Sequence, residues 1–197
     1  MSATGSTTSA EKPSPWSSTA IDAASHGAIA FCQIYYEAYD EPNRRSTELP
    51  QLFLPSAKVI WNGNPVPADR PSLSAFLDAM PLSRHDLQTV DCHPVAGPPL
   101  FLLLTSVLDA DASPTMQPAL SVLTALDSSS APDLIVNITG SVLHGPSVMS
   151  HVDTPNLPPQ DHPRKFHEMF MLRVAEQTGE GMQPKYAIHS SNFRFMG

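Results

Sequence analysis

The dipeptide Asn62-Gly63 restricts how this chain can fold more than any other feature of its sequence. It follows the β-branched and aromatic run Val59-Ile60-Trp61 and precedes Asn64-Pro65-Val66. Both residue types tolerate positive φ, and a two-residue type I′ turn requires that conformation at both positions. The sequence therefore predicts a β-hairpin at this point of the chain.

Helical periodicity lies on both sides of the hairpin. A first helix is predicted from about Thr19 to Asp40, with an apolar stripe made of Ala24, Ala28, Phe31, Cys32, Tyr35, Tyr36 and Tyr39. A second, short helix is predicted near Ser46 to Leu54. A third follows the hairpin, because Asp69 is a suitable N-cap, Pro71 fits a first turn and Pro81 ends the pattern.

The second half of the chain contains segments that alternate with the period of β-strands. Strands are predicted over residues 86–95, 133–144, 165–174 and 186–195. Helices that precede a long run of strands are typical of an α+β fold. We therefore expect three N-terminal helices packed on one face of a long antiparallel sheet.

The length of 197 residues fits one domain with a tail and insertions. Residues 1–18 are rich in Ser, Thr, Ala and Pro, which predicts a disordered tail before a domain at 19–197. Proline-rich insertions are predicted at 97–132 and 145–162. Two apolar runs in the first insertion could form an extra hairpin or a lid, or belong to a disordered loop.

Charge and residue types exclude several classes of function. The net charge is −8, and residues 85–163 contain no Lys or Arg, so the isolated chain is not expected to bind nucleic acid. Cys32 and Cys92 give no disulfide framework and favour a reducing compartment. We expect no signal peptide and no membrane partner. The eight histidines lack zinc-ligand spacing, and neither a metal nor a cofactor is expected.

Alternation in the last two strands predicts a face that is not used by the helices. If Phe166, Phe170, Phe193 and Phe195 point toward the helices, the opposite side is rich in Met, Ile, Tyr and Arg, which are typical of interfaces. The predicted partner interface consists of His167, Met169, Met171, Arg173, Tyr186, Ile188, Ser190, Asn192 and Arg194. The alternative is that the insertions of the same chain cover this side.

Five motifs, in this order, resemble the nuclear transport factor 2-like family, and within it the small subunits of heterodimeric mRNA export receptors. They are Phe31–Tyr36 in the first helix, Trp61–Asn64 in the hairpin, Asp91–Val95, Phe166–Leu172 in the penultimate strand and Phe193–Phe195 in the last. The resemblance spans roughly residues 20–96 and 133–195. It implies a strongly curved sheet that wraps around the helices as a cone and pairs with a partner sheet face to face.

The family also contains homodimeric import carriers of GDP-bound Ran, and dehydratases and isomerases that use the cone cavity. The carriers have an acidic residue directly after the hairpin Trp, where this chain has Asn62. An enzyme needs titratable groups that converge, and the candidates are Tyr35, Asp86, Asp91, His93 and His189. Their spacing does not require acid–base chemistry, so the chain is not expected to be an enzyme.

The resemblance therefore implies a non-catalytic small subunit of a nuclear mRNA export receptor. Its partner would be the NTF2-like domain of a larger export factor, which would supply most contacts to Phe-Gly nucleoporins and RNA. The complex would work in the nucleus, the cytoplasm and the nuclear pore complex. In the resembling heterodimers the arginine that matches Arg194 pairs with an aspartate of the large subunit. Sequence leaves open whether the partner is a second copy of this chain.

Overall fold

The computed structural model describes residues 16–95, 131–145, 148, 162–176 and 183–196. Most of the predicted tail and of both predicted insertions lies outside these residues. The elements, in chain order, are α1 (Ser18–Asp40), α2 (Pro42–Glu48), a 3₁₀ turn (Leu49–Leu52), β1 (Phe53–Trp61), β2 (Asn64–Val66), α3 (Arg70–Asp78), β3 (Ser83–Val95), β4 (Asp133–His144), β5 (Arg164–Glu176) and β6 (Lys185–Phe195).

The first helix has the predicted extent and buries the predicted stripe. The side chain of Ser17 accepts a hydrogen bond from the backbone N–H of Ala20 and caps the N-terminus. The helix ends at Asp40, two residues before Pro42. Every residue of the predicted apolar stripe is buried in the core. No helix among the described residues is long and apolar enough to span a membrane.

The second helix lies earlier than the sequence predicted. It begins at Pro42 and ends at Glu48, whereas the prediction placed it near Ser46 to Leu54. Proline is favoured in a first turn because no hydrogen bond needs its missing N–H there. Pro50 lacks the donor that would continue the helix, and the chain tightens into the 3₁₀ turn before β1 starts at Phe53.

The hairpin and the third helix are confirmed as predicted. Asn62 has φ of 46° and Gly63 has φ of 87°, so both turn residues are in the left-handed region. Trp61 pairs with Asn64 across the turn. Asp69 accepts a hydrogen bond from the N–H of Ser72 at 3.0 Å and caps α3, whose second residue is Pro71.

Six strands form one sheet in the order β2-β1-β6-β5-β4-β3. The predicted α+β fold is confirmed, with one correction to the pairing. Strand β1 runs parallel to β6, so the sheet is mixed rather than wholly antiparallel. The helices cover one side of the sheet, here called the inner face, and the core lies between them. Its largest fully buried side chains include Phe166, Phe170 and Phe193.

Candidate partner interface

The side of the sheet that faces away from the helices, here called the outer face, is the candidate interface. Hydrogen-bonded register places Ile60, Asn192, Met169 and Asn137 in one row across β1, β6, β5 and β4. The outer face includes Lys58, Ile60, Ile135, Asn137, Thr139, His167, Met169, Met171, Arg173, Ser190, Asn192 and Arg194.

The middle of the outer face is apolar. Met169 and Met171 are half-buried neighbours on β5, and Ile135 is paired with Met171 on β4. Ile60 is 38% exposed at the β1 side of the same surface. The sequence reasoning missed Ile60 and Ile135, although alternation within β1 and β4 would have placed both on this side. A sheet face with apolar residues at its centre and polar residues around them has the anatomy of an interface.

Two residues of the predicted interface lie on the inner face instead. Tyr186 is 7% exposed and Ile188 is fully buried, and both belong to the core. The reason is a bulge in β6, where Leu172 pairs with Ile188 but Met171 pairs with Ser190, so that His189 is the extra residue. One extra residue reverses which side of the sheet the alternate side chains occupy. The other predicted interface residues lie on the outer face.

The polar groups of the outer face differ in their partners. Arg173 lies 3.8 Å from the carboxylate of Asp133. Arg194 is exposed and forms no ion pair with any residue that the structure describes. Asn192 Oδ1 and His189 Nδ1 are buried and have no hydrogen-bond partner among the described residues. Burial also lowers the pKa of His189, which favours its neutral form.

The inner face contains a carboxyl group that the sequence reasoning overlooked. Glu168 alternates with Phe166 and Phe170 and is 2% exposed. Three hydroxyl groups donate hydrogen bonds to it, from Tyr35, Tyr36 and Ser191. The sequence could have predicted this position, because Glu168 is two residues from Phe166 and two from Phe170. In a strand, residues two positions apart lie on the same side of the sheet.

The five residues considered for catalysis do not converge. Tyr35 is a core residue that contacts Glu168, and Asp91 pairs with His93 at 2.9 Å on the exposed part of β3. Asp86 borders a separate surface cleft of about 430 Å³, and His189 lies at the bulge of β6. Within the described residues no three His, Cys, Asp or Glu side chains form a group that could hold a metal.

A second polar cluster joins the end of α1 to the start of β3. The Asp40 carboxylate accepts hydrogen bonds from Ser83 Oγ at 2.8 Å and from the backbone N–H of His85 at 2.7 Å. Arg45 is buried and donates to the carbonyls of Met80 and Pro81, and to Ser83 Oγ. Every member of this cluster has partners within the chain, so we assign it to the fold and not to ligand binding.

Comparison with known proteins agrees with the fold and with the resemblance in sequence. Residues 23–106 match the sequence profile described as "Nuclear pore RNA shuttling protein Mtr2". NTF2-related export protein 2 of Homo sapiens is 39% identical over 77 residues, which is 39% of this chain and 51% of the human protein. The chain thus spans about half the length of the curated relatives it matches.

Solved structures support the fold at lower sequence identity. The complex of the Chaetomium thermophilum Mex67 NTF2-like domain with Mtr2 contains a chain with a TM-score of 0.54 and 18% identity. That similarity covers 88% of this chain and 99% of the other. Nuclear transport factor 2 of Cryptosporidium parvum has a TM-score of 0.51 and 16% identity, over 87% of this chain and 94% of that one.

The element order, the mixed sheet packed on three helices and the matched residues of the first half therefore agree with one another. The predicted resemblance to export subunits is confirmed, and the curated relatives that the chain matches are NTF2-related export proteins. The chain has the nuclear transport factor 2-like fold and resembles the export-related proteins of that family.

Proposed function

We propose that this chain is the non-catalytic small subunit of a nuclear mRNA export receptor. Its outer face would pair with the NTF2-like domain of a larger export factor. The observation that carries the proposal is the apolar part of the outer face, a sheet surface that no described element covers. Ile135, Met169 and Met171 lie together there on β4 and β5, and Ile60 lies on β1, across Asn192 of β6.

Two comparisons support the choice of partner. One similar structure is the complex of an NTF2-like domain with Mtr2, and the profile matched by residues 23–106 is that of Mtr2. A partner with the same fold would offer a sheet face of similar size and curvature. Two such faces can pack with their side chains interdigitated, as in other sheet-on-sheet contacts.

Arg194 is the residue of the proposed interface that needs a charged group from the partner. It is exposed at the edge of the apolar centre and has no ionic partner within the described residues. A guanidinium that becomes desolvated in an interface needs a carboxylate across from it. We therefore expect an acidic residue of the partner opposite Arg194, as in the resembling heterodimers.

The same proposal covers location and cargo. The subunit would move between the nucleus and the cytoplasm and would associate with nuclear pores as part of the complex. Contacts to Phe-Gly repeats and to RNA would come mainly from the larger subunit. The polar clusters of the fold support a non-catalytic role, because Glu168 and Asp40 both accept hydrogen bonds from residues of the same chain.

The test is pairing of charge-reversal variants with the larger export factor. Arg194→Glu places a carboxylate where the partner is expected to have one, and should cost roughly 2–5 kcal/mol of association. Asn192→Glu should also weaken pairing, because it buries a charge without a partner. Arg70→Glu, on the exposed start of α3, makes the same change of charge away from the outer face and should pair normally.

Co-purification would be measured together with circular dichroism, since none of these changes touches the core. Loss of the partner by folded Arg194→Glu and Asn192→Glu proteins, with normal pairing by Arg70→Glu, is the expected result. Normal pairing by both outer-face variants would place the interface elsewhere. Recovery of the chain only as a pair with itself would favour the homodimeric alternative.

A further inference from the structure

A carboxyl group lies in the apolar core, away from the outer face. Glu168 is on the inner face of β5, between the fully buried rings of Phe166 and Phe170, and only 2% of its surface is exposed. Its carboxyl group contacts side chains of α1 and not solvent. An ionised carboxylate at such a position loses its hydration, which costs free energy unless opposite charge or hydrogen bonds replace it.

Every polar partner that Glu168 has among the described residues is a hydroxyl group. Tyr36 Oη donates to Oε2 at 2.7 Å, Ser191 Oγ donates to Oε1 at 2.8 Å, and Tyr35 Oη donates to Oε1 at 3.3 Å. A hydroxyl can donate to an ionised carboxylate, and it can also accept a bond from a protonated carboxyl. The cluster can therefore hold a protonated Glu168 without a change of partners.

No positive charge compensates this group within the described residues. From α1 it is faced by the Cys32 thiol and the Tyr39 phenol as well as by the two hydrogen-bonded tyrosines. Strand β4 places the apolar Ile138 beside it. The imidazole of His85 on β3 packs against the ring of Tyr36 and is held by Asp40.

We propose that Glu168 is a proton-controlled lock between α1 and the sheet. The protonated carboxyl fits the hydroxyl cluster as a neutral group. Loss of the proton leaves a negative charge in the core with hydroxyl donors alone, and this weakens the packing of α1. The proposal concerns the single chain and goes beyond the pairing function proposed above.

The direction of the pH effect follows from burial. Desolvation raises the pKa of Glu168 from 4.5 to about 7, although the hydroxyl donors act in the opposite direction. The folded chain thus binds the proton more tightly than the unfolded chain does. Stability from this group is complete below pH 4.5, falls as the pH rises from 4.5 to about 7, and is lost above that range.

Amide hydrogen exchange of the full chain between about pH 5 and 8 tests the proposal. The wild type is compared at each pH with Glu168→Gln, a neutral side chain of the same shape. Up to about pH 7, opening of α1 in the wild type should increase by up to about tenfold per pH unit relative to this variant. Glu37→Gln, which removes an exposed carboxylate from the same helix, should follow the wild type.

Equal pH dependence of α1 opening in the wild type and in Glu168→Gln would overturn the proposal. If Glu168→Gln does not fold, carboxyl-carbon NMR of the wild type gives a direct answer. A Glu168 carboxyl that titrates near neutral pH supports the lock. A carboxyl that is already ionised at about pH 5 overturns it.

Discussion

His85 Nδ1 lies 2.6 Å from Asp40 Oδ1, and this contact joins the end of α1 to the start of β3. The His85 side chain is 2% exposed and that of Asp40 is 24% exposed. Asp40 also accepts a hydrogen bond from the backbone N–H of His85. One carboxylate thereby fixes both the backbone and the ring of a residue 45 positions away in the sequence.

This relationship predicts an acid-sensitive contribution to stability. Burial alone would raise the pKa of Asp40, but the hydrogen bond and charge of His85 outweigh it and lower the pKa below 3.8. The stability from this carboxylate is therefore present above pH 3.8 and is lost as the pH falls through the lower folded-state value. Asp40→Asn should cost about 1–3 kcal/mol at neutral pH and make acid unfolding less steep.

Urea unfolding at several pH values between about 2.5 and 7 would measure this effect. Asp22→Asn is the matched control, because Asp22 is an exposed residue of the same helix. The stability of Asp22→Asn should fall at low pH in the same way as that of the wild type. If the stability of Asp40→Asn falls at low pH as steeply as that of the wild type, the His85 contact does not contribute to stability.

Gly27 offers a test in which helix propensity and packing have opposite signs. In an isolated helix, Gly27→Ala should stabilise by roughly 1 kcal/mol. In this fold an added Cβ would lie 3.0 Å from Tyr186 Cε2 and 3.2 Å from the carbonyl oxygen of Pro184. We expect Gly27→Ala to lower the free energy of unfolding, by about 1–3 kcal/mol, because the chain at the start of β6 approaches α1 too closely for a methyl group.

Thermal unfolding of Gly27→Ala with Ser25→Ala as the comparison would show which effect dominates. Ser25 lies on the same helix and donates its hydroxyl to the carbonyl of Ile21. Its replacement should be nearly neutral, since the helix keeps its packing. A higher melting temperature for Gly27→Ala would mean that α1 can move away from Tyr186.

The first predicted insertion, residues 97–132, lies almost entirely outside the described residues, and its role stays a prediction. If it is a peripheral loop, replacing 97–130 with a short Gly-Ser linker should leave folding and pairing nearly intact, because loop length has a small thermodynamic effect. Val95 and Asp133 are paired neighbours, so a short linker can join the two strands. Loss of soluble protein would show that the apolar runs belong to the core or cover the outer face.

Weak binding to RNA is expected of the single chain. No Lys or Arg occurs between Arg84 and Arg164, while eight carboxylates do. Affinity for a single-stranded RNA, measured by fluorescence anisotropy at several salt concentrations, should be low and should lack a steep salt slope. Submicromolar binding at physiological salt would count against a role in which the larger subunit holds the RNA.

Local residue types were enough to predict much of this molecule. The Asn62-Gly63 turn, the Asp69 cap and the stripe of α1 depend on neighbours within a few positions, and the structure confirms all three. The four long strands were also predicted to within a few residues, because alternation is a local property. The net charge and the absence of basic residues over a long stretch needed no structure.

Other features depended on how distant segments meet. The parallel pairing of β1 with β6 joins segments that lie near opposite ends of the described chain. The bulge at His189 moves Tyr186 and Ile188 into the core, and a rule that counts every second residue has no means to detect an extra one. The outer face predicted from the sequence was therefore correct at the end of β6 and wrong at its beginning.

The buried carboxyl group of Glu168 and the partly buried one of Asp40 show the same division. Sequence alone places Glu168 on the inner face and Asp40 at the end of a helix, which fixes their positions but not their partners. Tertiary structure brings the hydroxyls of Tyr35, Tyr36 and Ser191 to the first, and His85 to the second. The state of a buried charge depends on the groups that replace its water, and only the folded chain determines which groups those are.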